Sequence, residues 1–172
     1  MRLFIAVRFS QPVMEMLKGV TEDLKKQGRG SFTRPENLHL TCVFIGETKD
    51  AAGAAAAMRA AASCPPFEIT VGGAGHFGNL YWVGIDKSVE LSKLAASLRN
   101  ALKTHGLPFD EKAFKPHITV ARQYEAVTIP HIIAPRTGMQ VDRLSLMRSD
   151  RVEGKLVYTE VASSLLEKRP GT

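Results

Sequence analysis

The amino-acid sequence predicts an α+β fold with largely antiparallel sheets that helices cover on one side. Short β-rich runs occur in adjacent pairs as well as between helical segments, a pattern that favours antiparallel strand pairing. Hydrophobic residues make up 44% and charged residues 23% of the 172 residues, which is an ordinary globular balance. No linker is long enough to separate independent units, so we expect a single domain over residues 1–172.

The chain is expected to begin with a strand and a helix. Residues 2–9 are rich in β-forming side chains and predict the strand. Ser10 is a typical helix-capping residue and Pro12 suits a first turn, so a helix should begin there and end at Gly28. The apolar face of this helix follows at spacings of four, three and four residues: Val13, Leu17, Val20 and Leu24.

A loop, a strand and a second helix are predicted next. Residues 27–35 are expected to form a basic loop, and residues 38–45 a strand. The stretch from Asp50 to Ala62 is dense in alanine, the best helix former, and predicts a helix. A low-complexity linker is the alternative for this stretch.

Two strands and a third helix follow. Residues 67–71 and 80–85 predict strands on either side of a glycine-rich loop over residues 72–79. Ser88 can cap a helix that runs to His105. Four leucines form its apolar stripe: Leu91, Leu94, Leu98 and Leu102.

The chain is expected to end in strands. Residues 116–122 predict one strand, and residues 139–147 and 156–163 predict a closing hairpin around Gly154.

Charge, cysteine content and hydropathy narrow the function classes. The formal net charge of +6 favours anionic partners, nucleic acid among them, although many basic proteins bind no polyanion.

Cys42 and Cys64 lack metal-type spacing, so we expect reduced, structural thiols. No apolar run approaches the ~18 residues of a membrane helix, and the first residues lack the apolar core of a signal peptide. We therefore expect a cytoplasmic protein without a membrane partner.

Two motifs of the form His-x-Thr-x lie inside β-type runs: His39-Leu40-Thr41-Cys42 and His117-Ile118-Thr119-Val120. Because strand side chains alternate between faces, the histidine and threonine of each motif point the same way. Each strand can thus offer one imidazole and one hydroxyl to a common surface. A buried, hydrogen-bonded structural histidine is the alternative, and it explains two matched copies less well than a shared site does.

These side chains suit the opening of a cyclic phosphodiester by water. One histidine can take a proton from water while the other protonates the departing ribose oxygen, because imidazole titrates near neutral pH. Two threonine hydroxyls can donate hydrogen bonds to the oxygens that gain charge in the transition state. No acidic residue accompanies either motif, so the pattern does not predict a metal site.

The chain resembles the 2H phosphoesterase superfamily in these motifs and in the segments around them. The resemblance is carried by the start Arg2-Leu3-Phe4-Ile5-Ala6, the run from Asn37 to Glu47 and the run from Phe114 to Arg122. Within the superfamily the chain is most similar to the bacterial and archaeal RNA 2′,3′-cyclic phosphodiesterases, historically called 2′-5′ RNA ligases. The resemblance spans nearly the whole chain.

This resemblance implies a bilobal, pseudo-symmetric fold in which one motif of each lobe faces a central cleft. It implies hydrolysis of RNA 2′,3′-cyclic phosphate ends to a 2′-phosphate without metal or nucleotide cofactor, with reversible ATP-independent 2′-5′ joining by the same chemistry. It assigns His39 as proton donor and His117 as proton acceptor, and Thr41 and Thr119 to substrate binding. Cys42 stands where an aliphatic residue is more usual, and we expect it to pack on the face opposite His39.

Arg122 matches an arginine that contacts phosphate in members of the superfamily. Strict alternation from His117 would place it on the opposite face. It is therefore expected either to follow a strand end or a bulge and bind the substrate, or to be a surface charge. Tyr81 and Trp82 could stack a nucleobase, with core packing as the alternative.

Lesser roles are expected for the remaining histidines and for three arginines. We expect His76 to lie in a turn or at the rim of the cleft, and His105 to interact with the end of its helix. We expect no specific partner for His131. Arg29 and Arg34 are expected to be solvated charges, and Arg148 to lie in the cleft.

Three functions remain open once the resemblance is taken into account. The first is an enzyme, acting as a monomer on RNA that ends in a 2′,3′-cyclic phosphate, for example a tRNA-derived RNA. The second is an RNA-end-binding module with little catalysis, and the third is a phosphodiesterase for a small cyclic nucleotide. The intact histidines and threonines favour catalysis over binding, but a phosphate site is common to RNA and small-molecule substrates.

Overall fold

The computed structural model describes residues 1–170, which form two antiparallel sheets and three helices. The strands are β1 (Arg2–Val7), β2 (Arg29–Phe32), β3 (Leu40–Glu47), β4 (Phe67–Phe77), β5 (Leu80–Ile85), β6 (His117–Glu125), β7 (Thr137–Val141), β8 (Arg143–Val152) and β9 (Lys155–Leu165). The helices are α1 (Gln11–Gln27), α2 (Ala51–Ala61) and α3 (Val89–Thr104), with a short 3-10 helix at Pro35–Asn37. The first sheet has the order β3-β1-β8-β9 and the second β2-β6-β5-β4-β7.

The three predicted helices are present with the predicted ends. Ser10, Asp50 and Ser88 are their N-caps, and each side-chain oxygen accepts a hydrogen bond from the backbone N–H three residues later. Gly28 ends α1 and His105 ends α3. The predicted apolar faces of α1 and α3 are buried, so local sequence and packing agree in these segments.

The predicted loop over residues 27–35 is wrong in part, because β2 lies within it and pairs with β6. A four-residue edge strand carries too little side-chain alternation to be recognised in a sequence. Close approach to β6 decides its position: a Cβ on Gly28 would lie 2.6 Å from the Tyr124 hydroxyl oxygen. That hydroxyl donates to the Leu24 carbonyl oxygen at 2.7 Å and fixes the end of α1 against the sheet.

The predicted glycine-rich loop is mostly strand. β4 continues through it to Phe77, and the turn to β5 is confined to Gly78 and Asn79. The glycines permit close packing here: a Cβ on Gly75 would lie 2.3 Å from the Trp82 ring. Glycine composition predicts loops because of its backbone freedom, but this contact needs only its small size.

The predicted strand over residues 139–147 is divided between the two sheets. β7 belongs to the second sheet and β8 to the first, and the chain crosses between them at Asp142. A run of β-forming residues carries no local sign of such a crossing. The predicted hairpin around Gly154 is confirmed as β8–β9.

Helices cover one face of each sheet. α1 packs on β2, β6 and β7, whereas α2 packs on β8 and β9, and α3 on β3. Buried side chains from both sheets and all three helices form one hydrophobic cluster, which includes Leu3, Leu17, Leu98 and Ile118. Because this core is continuous, we propose that the two lobes fold as one domain. Within residues 1–170, no helix has the length and apolar character needed to cross a membrane.

Candidate active site

The two His-x-Thr motifs meet where the sheets adjoin. Thr41 lies on β3, the edge strand of the first sheet, and His39 directly precedes this strand. His117 and Thr119 lie on β6 of the second sheet, and β3 and β6 are in contact. All four side chains line one cavity of about 530 Å³. The structure therefore brings together the four motif residues that the sequence pattern singled out.

Each histidine ring is oriented by the carbonyl group two residues before it. His39 Nδ1 lies 2.6 Å from the Asn37 oxygen, and His117 Nδ1 lies 2.7 Å from the Lys115 oxygen. A carbonyl oxygen only accepts hydrogen bonds, so Nδ1 carries the hydrogen in both rings. The same local contact thus leaves Nε2 as the atom of each ring that can exchange a proton with a substrate.

His39 lies in a more enclosed environment. Its ring centroid is 4.9 Å from that of Phe4 and 5.1 Å from that of Tyr158, and its Nε2 lies 2.8 Å from Thr41 Oγ1. Burial lowers the pKa of the imidazole below its ordinary value, and the hydrogen bond to the Asn37 carbonyl opposes this only in part. The lowered pKa favours the neutral ring, whose Nε2 can accept a hydrogen bond from the Thr41 hydroxyl.

The His39 pKa is expected to lie below 6.5 in the free protein and to rise when a 2′-nucleotide occupies the cleft. The ligand's negative charge should favour the imidazolium form and offset the cost of burial. An NMR titration of the ring Cε1–H, assigned with a His39→Gln variant, measures both values. A free-protein pKa at or above 6.5, or one that does not respond to the ligand, would contradict this expectation.

A β-bulge follows the threonine in both motifs. The pairing of β1 with β3 skips Cys42, and the pairing of β5 with β6 skips Val120. One extra residue in a strand reverses the alternation of faces beyond it. Phe44 and Arg122, each five residues after a motif histidine, therefore line the cavity instead of facing away from it.

Arg122 follows a bulge and lines the cleft, as the substrate-binding alternative for this residue required. Its contact with a substrate phosphate stays a prediction. Burial raises the pKa of the Tyr158 hydroxyl, and the positive charge of Arg122 partly offsets this increase, which places the guanidinium near that side of the cleft. Cys42 is buried in the core as expected, and burial raises the pKa of its thiol to about 12, so it stays neutral.

The other cavity residues were not predicted as site residues from the sequence. Arg34 was expected to be solvated, but it donates to the Leu156 carbonyl oxygen and lines the cavity. Lys115 could have been found by its position next to the second motif. The remaining lining residues come mainly from β2, the segment around the 3-10 helix, and the β8–β9 hairpin: Ser31, Phe32, Thr33, Asn37, Arg151, Gly154, Lys155, Leu156 and Tyr158.

Tyr81 and Trp82, which were considered for base stacking, do not line the cavity. Tyr81 stacks on His76 with ring centroids 5.2 Å apart, and the Trp82 ring covers Gly75. Core packing, the alternative, holds for Tyr81, which packs against the hydrophobic cluster. Trp82 is outside that cluster and is half-buried against Phe77, with ring centroids 5.5 Å apart. The aromatic side chains that do line the cavity are Phe32, Phe44 and Tyr158.

The three remaining histidines and Arg148 also lie outside the cavity lining. His76 Nδ1 contacts the Gly78 carbonyl in the β4–β5 turn, and His105 Nδ1 contacts a carbonyl at the end of α3. The Arg148 side chain pairs with Asp150 at 2.8 Å instead of reaching the cleft. Across residues 1–170, no group of three or more His, Cys, Asp or Glu side chains is arranged to hold a metal ion.

Comparison with known proteins identifies the family. A family model described as the 2′-5′ RNA ligase superfamily matches residues 13–153. The chain belongs to this superfamily. The "RNA 2′,3′-cyclic phosphodiesterase" of Thermotoga maritima is 34% identical to it, with 87% of each chain covered. The enzyme of that name from Archaeoglobus fulgidus is 35% identical, with 71% of this chain and 72% of its own covered.

Solved structures of 2′-5′ RNA ligase type share the fold. Escherichia coli LigT complexed with NADP⁺ has a TM-score of 0.79 and 28% identity, with 96% of this chain and 97% of its own covered. A Thermus thermophilus protein has a TM-score of 0.80 and 26% identity, with 96% of this chain and 98% of its own covered. The predicted α+β fold of the 2H phosphoesterase type is confirmed.

Proposed function

We propose that this member of the 2′-5′ RNA ligase superfamily hydrolyses RNA 2′,3′-cyclic phosphate ends to 2′-phosphates by paired-histidine acid–base catalysis. The observation that carries the proposal is that His39 and His117 line one cavity, although their motifs belong to different sheets. In each ring Nδ1 is hydrogen-bonded to a backbone carbonyl oxygen, which leaves Nε2 for the substrate. The names of the T. maritima and A. fulgidus relatives support the substrate class.

The reaction requires two proton transfers at opposite sides of the phosphorus. Water attacks in line with the departing 3′ oxygen, and His117 Nε2 accepts the proton that water loses as the new P–O bond forms. His39 Nε2–H gives its proton to the 3′ oxygen as the P–O3′ bond breaks. The products are a 2′-phosphate and a 3′-hydroxyl, and no atom or electron is needed from a cofactor.

His39 must be charged to donate this proton, although burial lowers its pKa and so favours the neutral ring. The anionic substrate supplies the missing stabilisation, because a negative charge beside an imidazole favours the protonated form. When Nε2 becomes protonated, it no longer accepts from the Thr41 hydroxyl, which is then free to donate to a phosphate oxygen. Substrate binding thereby prepares both the acid and one of the phosphate donors.

Thr119 and Arg122 hold the phosphate from the second sheet. The hydroxyl of Thr119 donates to one non-bridging oxygen, and the planar guanidinium of Arg122 can donate two hydrogen bonds to the phosphate. Both interactions gain strength as charge accumulates on these oxygens in the transition state. A 5′-hydroxyl in place of water would form a 2′-5′ linkage by the same proton transfers, without ATP.

Turnover of a short RNA ending in a 2′,3′-cyclic phosphate is expected to continue in EDTA and to yield only the 2′-phosphate. Two histidines carry out both proton transfers, so the chemistry needs no metal-bound water. Chromatography against 2′- and 3′-phosphate standards identifies the product, and the same RNA with a 3′-phosphate end is the control substrate. Activity that disappears in EDTA and returns with a divalent ion, or a 3′-phosphate product, would contradict the proposed mechanism.

We propose further that the protein is a cytoplasmic monomer that acts on RNA ends, such as those of tRNA fragments. It would need no cofactor and have no membrane partner. A small cyclic nucleotide competes as substrate, because the same phosphate groups would bind it.

A further inference from the structure

The wall of the cleft continues beyond the cavity across the second sheet. In β6, His117 and Thr119 line the cavity, and the register places them directly opposite Gly84 and Trp82 of β5. Side chains of directly opposite residues in an antiparallel pair lie on the same face of the sheet. Trp82 therefore lies on the face that forms the cleft, although it is outside the cavity lining.

The next strand, β4, adds a second aromatic side chain to this face. Gly75 is directly opposite Trp82, and Phe77 follows two residues later, so Phe77 shares the face. The contacts agree with the register, because the Phe77 ring centroid lies 5.5 Å from that of Trp82 and 5.9 Å from that of His117. Phe77 is 56% exposed, and Trp82 is half-buried. The two rings, Phe77 and Trp82, form an aromatic shelf beside His117.

Two glycines let the Trp82 ring lie close against the sheet. A Cβ on Gly75 would lie 2.3 Å from this ring and a Cβ on Gly84 would lie 3.3 Å from it, so a side chain at Gly75 would displace the ring. The Asn79 carbonyl oxygen accepts a hydrogen bond from the Tyr124 N–H at 3.0 Å, which ties the tip of the β4–β5 hairpin to β6. The aromatic shelf therefore keeps a defined position relative to the second motif.

The position of the aromatic shelf determines which reactant it can hold. In the proposed mechanism the nucleophile approaches on the His117 side, because His117 accepts its proton, and the 3′ oxygen departs on the His39 side. The 3′ oxygen belongs to the nucleoside that carries the cyclic phosphate, so that nucleoside lies toward His39. An apolar surface beside His117 and outside the cavity is therefore placed to hold the nucleophile. Water needs no such surface, whereas a nucleoside presents an aromatic base to it.

We infer that the aromatic shelf binds the nucleobase of the nucleoside whose 5′-hydroxyl attacks the cyclic phosphate in 2′-5′ joining. This inference rests on the proposed function and adds to it a site for the second reactant. The 5′ oxygen forms the new bond to phosphorus while its proton passes to His117 Nε2. The P–O3′ bond breaks, and the 3′ oxygen takes the proton of His39 Nε2. Aromatic side chains stack on bases of any sequence, because every base has a π face.

The test measures joining and hydrolysis in one reaction. The donor is a short RNA that ends in a 2′,3′-cyclic phosphate, and the acceptor is an adenosine trinucleotide with a 5′-hydroxyl. At subsaturating acceptor, Phe77→Leu should lower the ratio of joined to hydrolysed product about tenfold, because it removes one stacking ring. Phe77→Tyr keeps the ring and should keep the ratio. An effect of either variant on His117 cancels in the ratio, because His117 accepts the proton in both reactions.

Two controls isolate the stacking contact. His76→Ala changes the neighbouring residue of the same hairpin, whose ring stacks on Tyr81 at the opposite face of the sheet, and it should leave the ratio unchanged. An acceptor that lacks the base of its 5′ nucleotide should be joined about tenfold less efficiently by the wild-type protein. This difference should disappear in Phe77→Leu, because the ring and the base contribute one shared interaction.

Direct binding gives a readout that needs no turnover. Trp82 is the only tryptophan in the sequence, so tryptophan fluorescence reports on the aromatic shelf. Titration with the adenosine trinucleotide should quench this fluorescence, and Phe77→Leu should weaken the apparent affinity about tenfold. If the protein neither hydrolyses nor joins while this quenching is observed, the proposed function is refuted and the aromatic shelf is still supported as a nucleobase site.

The assignment would be overturned by an unchanged product ratio and an unchanged affinity in Phe77→Leu. Equal decreases in joining and hydrolysis would place the base of the donor on the aromatic shelf, and would therefore also contradict the assignment to the nucleophile. A wild-type protein that hydrolyses the donor but forms no joined product at saturating acceptor would have the same consequence.

Discussion

Replacing either His39 or His117 with alanine is expected to lower kcat/KM for an RNA 2′,3′-cyclic phosphate by about 10²- to 10⁴-fold, because each variant loses one positioned proton-transfer group. The two groups act on opposite sides of one displacement. The loss in the double variant should therefore be smaller than the product of the single losses. Initial rates over a range of substrate concentrations measure all three values.

The pH dependence distinguishes the two roles. In the wild-type protein the rate should be bell-shaped in pH, because the general acid must be protonated and the general base deprotonated for turnover. His39→Ala should lose the decrease at high pH, and His117→Ala should lose the decrease at low pH. Residual activity with the opposite pattern would reverse the assignment of acid and base.

His76→Ala and His131→Ala are the controls for these variants, because both residues lie outside the cavity lining. Circular dichroism establishes that each variant is folded. A folded His39→Ala or His117→Ala protein with wild-type turnover would refute the active-site assignment and would favour an RNA-end-binding module.

Replacing Thr41 or Thr119 with valine is expected to lower kcat/KM by about 10- to 150-fold. Valine keeps the branched shape that suits a strand and removes only the hydroxyl. A hydrogen bond to a charged group contributes roughly 1.5–3 kcal/mol, which corresponds to this range. Thr→Ser at the same positions is the matched control, since serine keeps the hydroxyl and should retain most of the activity.

The two threonines should differ in one respect. The Thr41 hydroxyl contacts His39 Nε2. Within residues 1–170 the Thr119 side chain makes no hydrogen bond to a histidine, and its backbone carbonyl accepts one from Thr33. Thr41→Val should therefore alter the pH dependence at high pH as well as the rate, while Thr119→Val should alter the rate alone. Equal pH profiles for the two variants would contradict the role given to the Thr41–His39 contact.

The sequence was informative where structure depends on local pattern. The helix caps at Ser10, Asp50 and Ser88 and the apolar faces of the helices follow from spacing alone. The shared face of each His-x-Thr pair follows from strand alternation, and the cavity contains both pairs. These predictions succeeded because each depends on residues within one or two turns of chain.

The failures have a common origin in long-range packing. The edge strand β2, the strand character of residues 72–77 and the sheet crossing at Asp142 all depend on partners that are distant in sequence. For example, Gly75 looks like a loop residue until the Trp82 ring is packed against it. Intrinsic secondary-structure propensity describes which conformations a segment can adopt. Packing against the neighbouring strand decides which of these conformations forms.

Some features of the active site could likewise be predicted from the sequence, whereas others depend on the tertiary structure. By itself the sequence indicated which histidines and threonines pair, because side-chain alternation is a local property. It also indicated a chemistry that suits a cyclic phosphate, because imidazole as a side-chain type can carry protons near neutral pH. Tertiary structure was needed for the bulges that turn Phe44 and Arg122 into the cleft, since a bulge is defined only against the partner strand. It was also needed for the lowered pKa of His39, because burial depends on every element that packs around the ring.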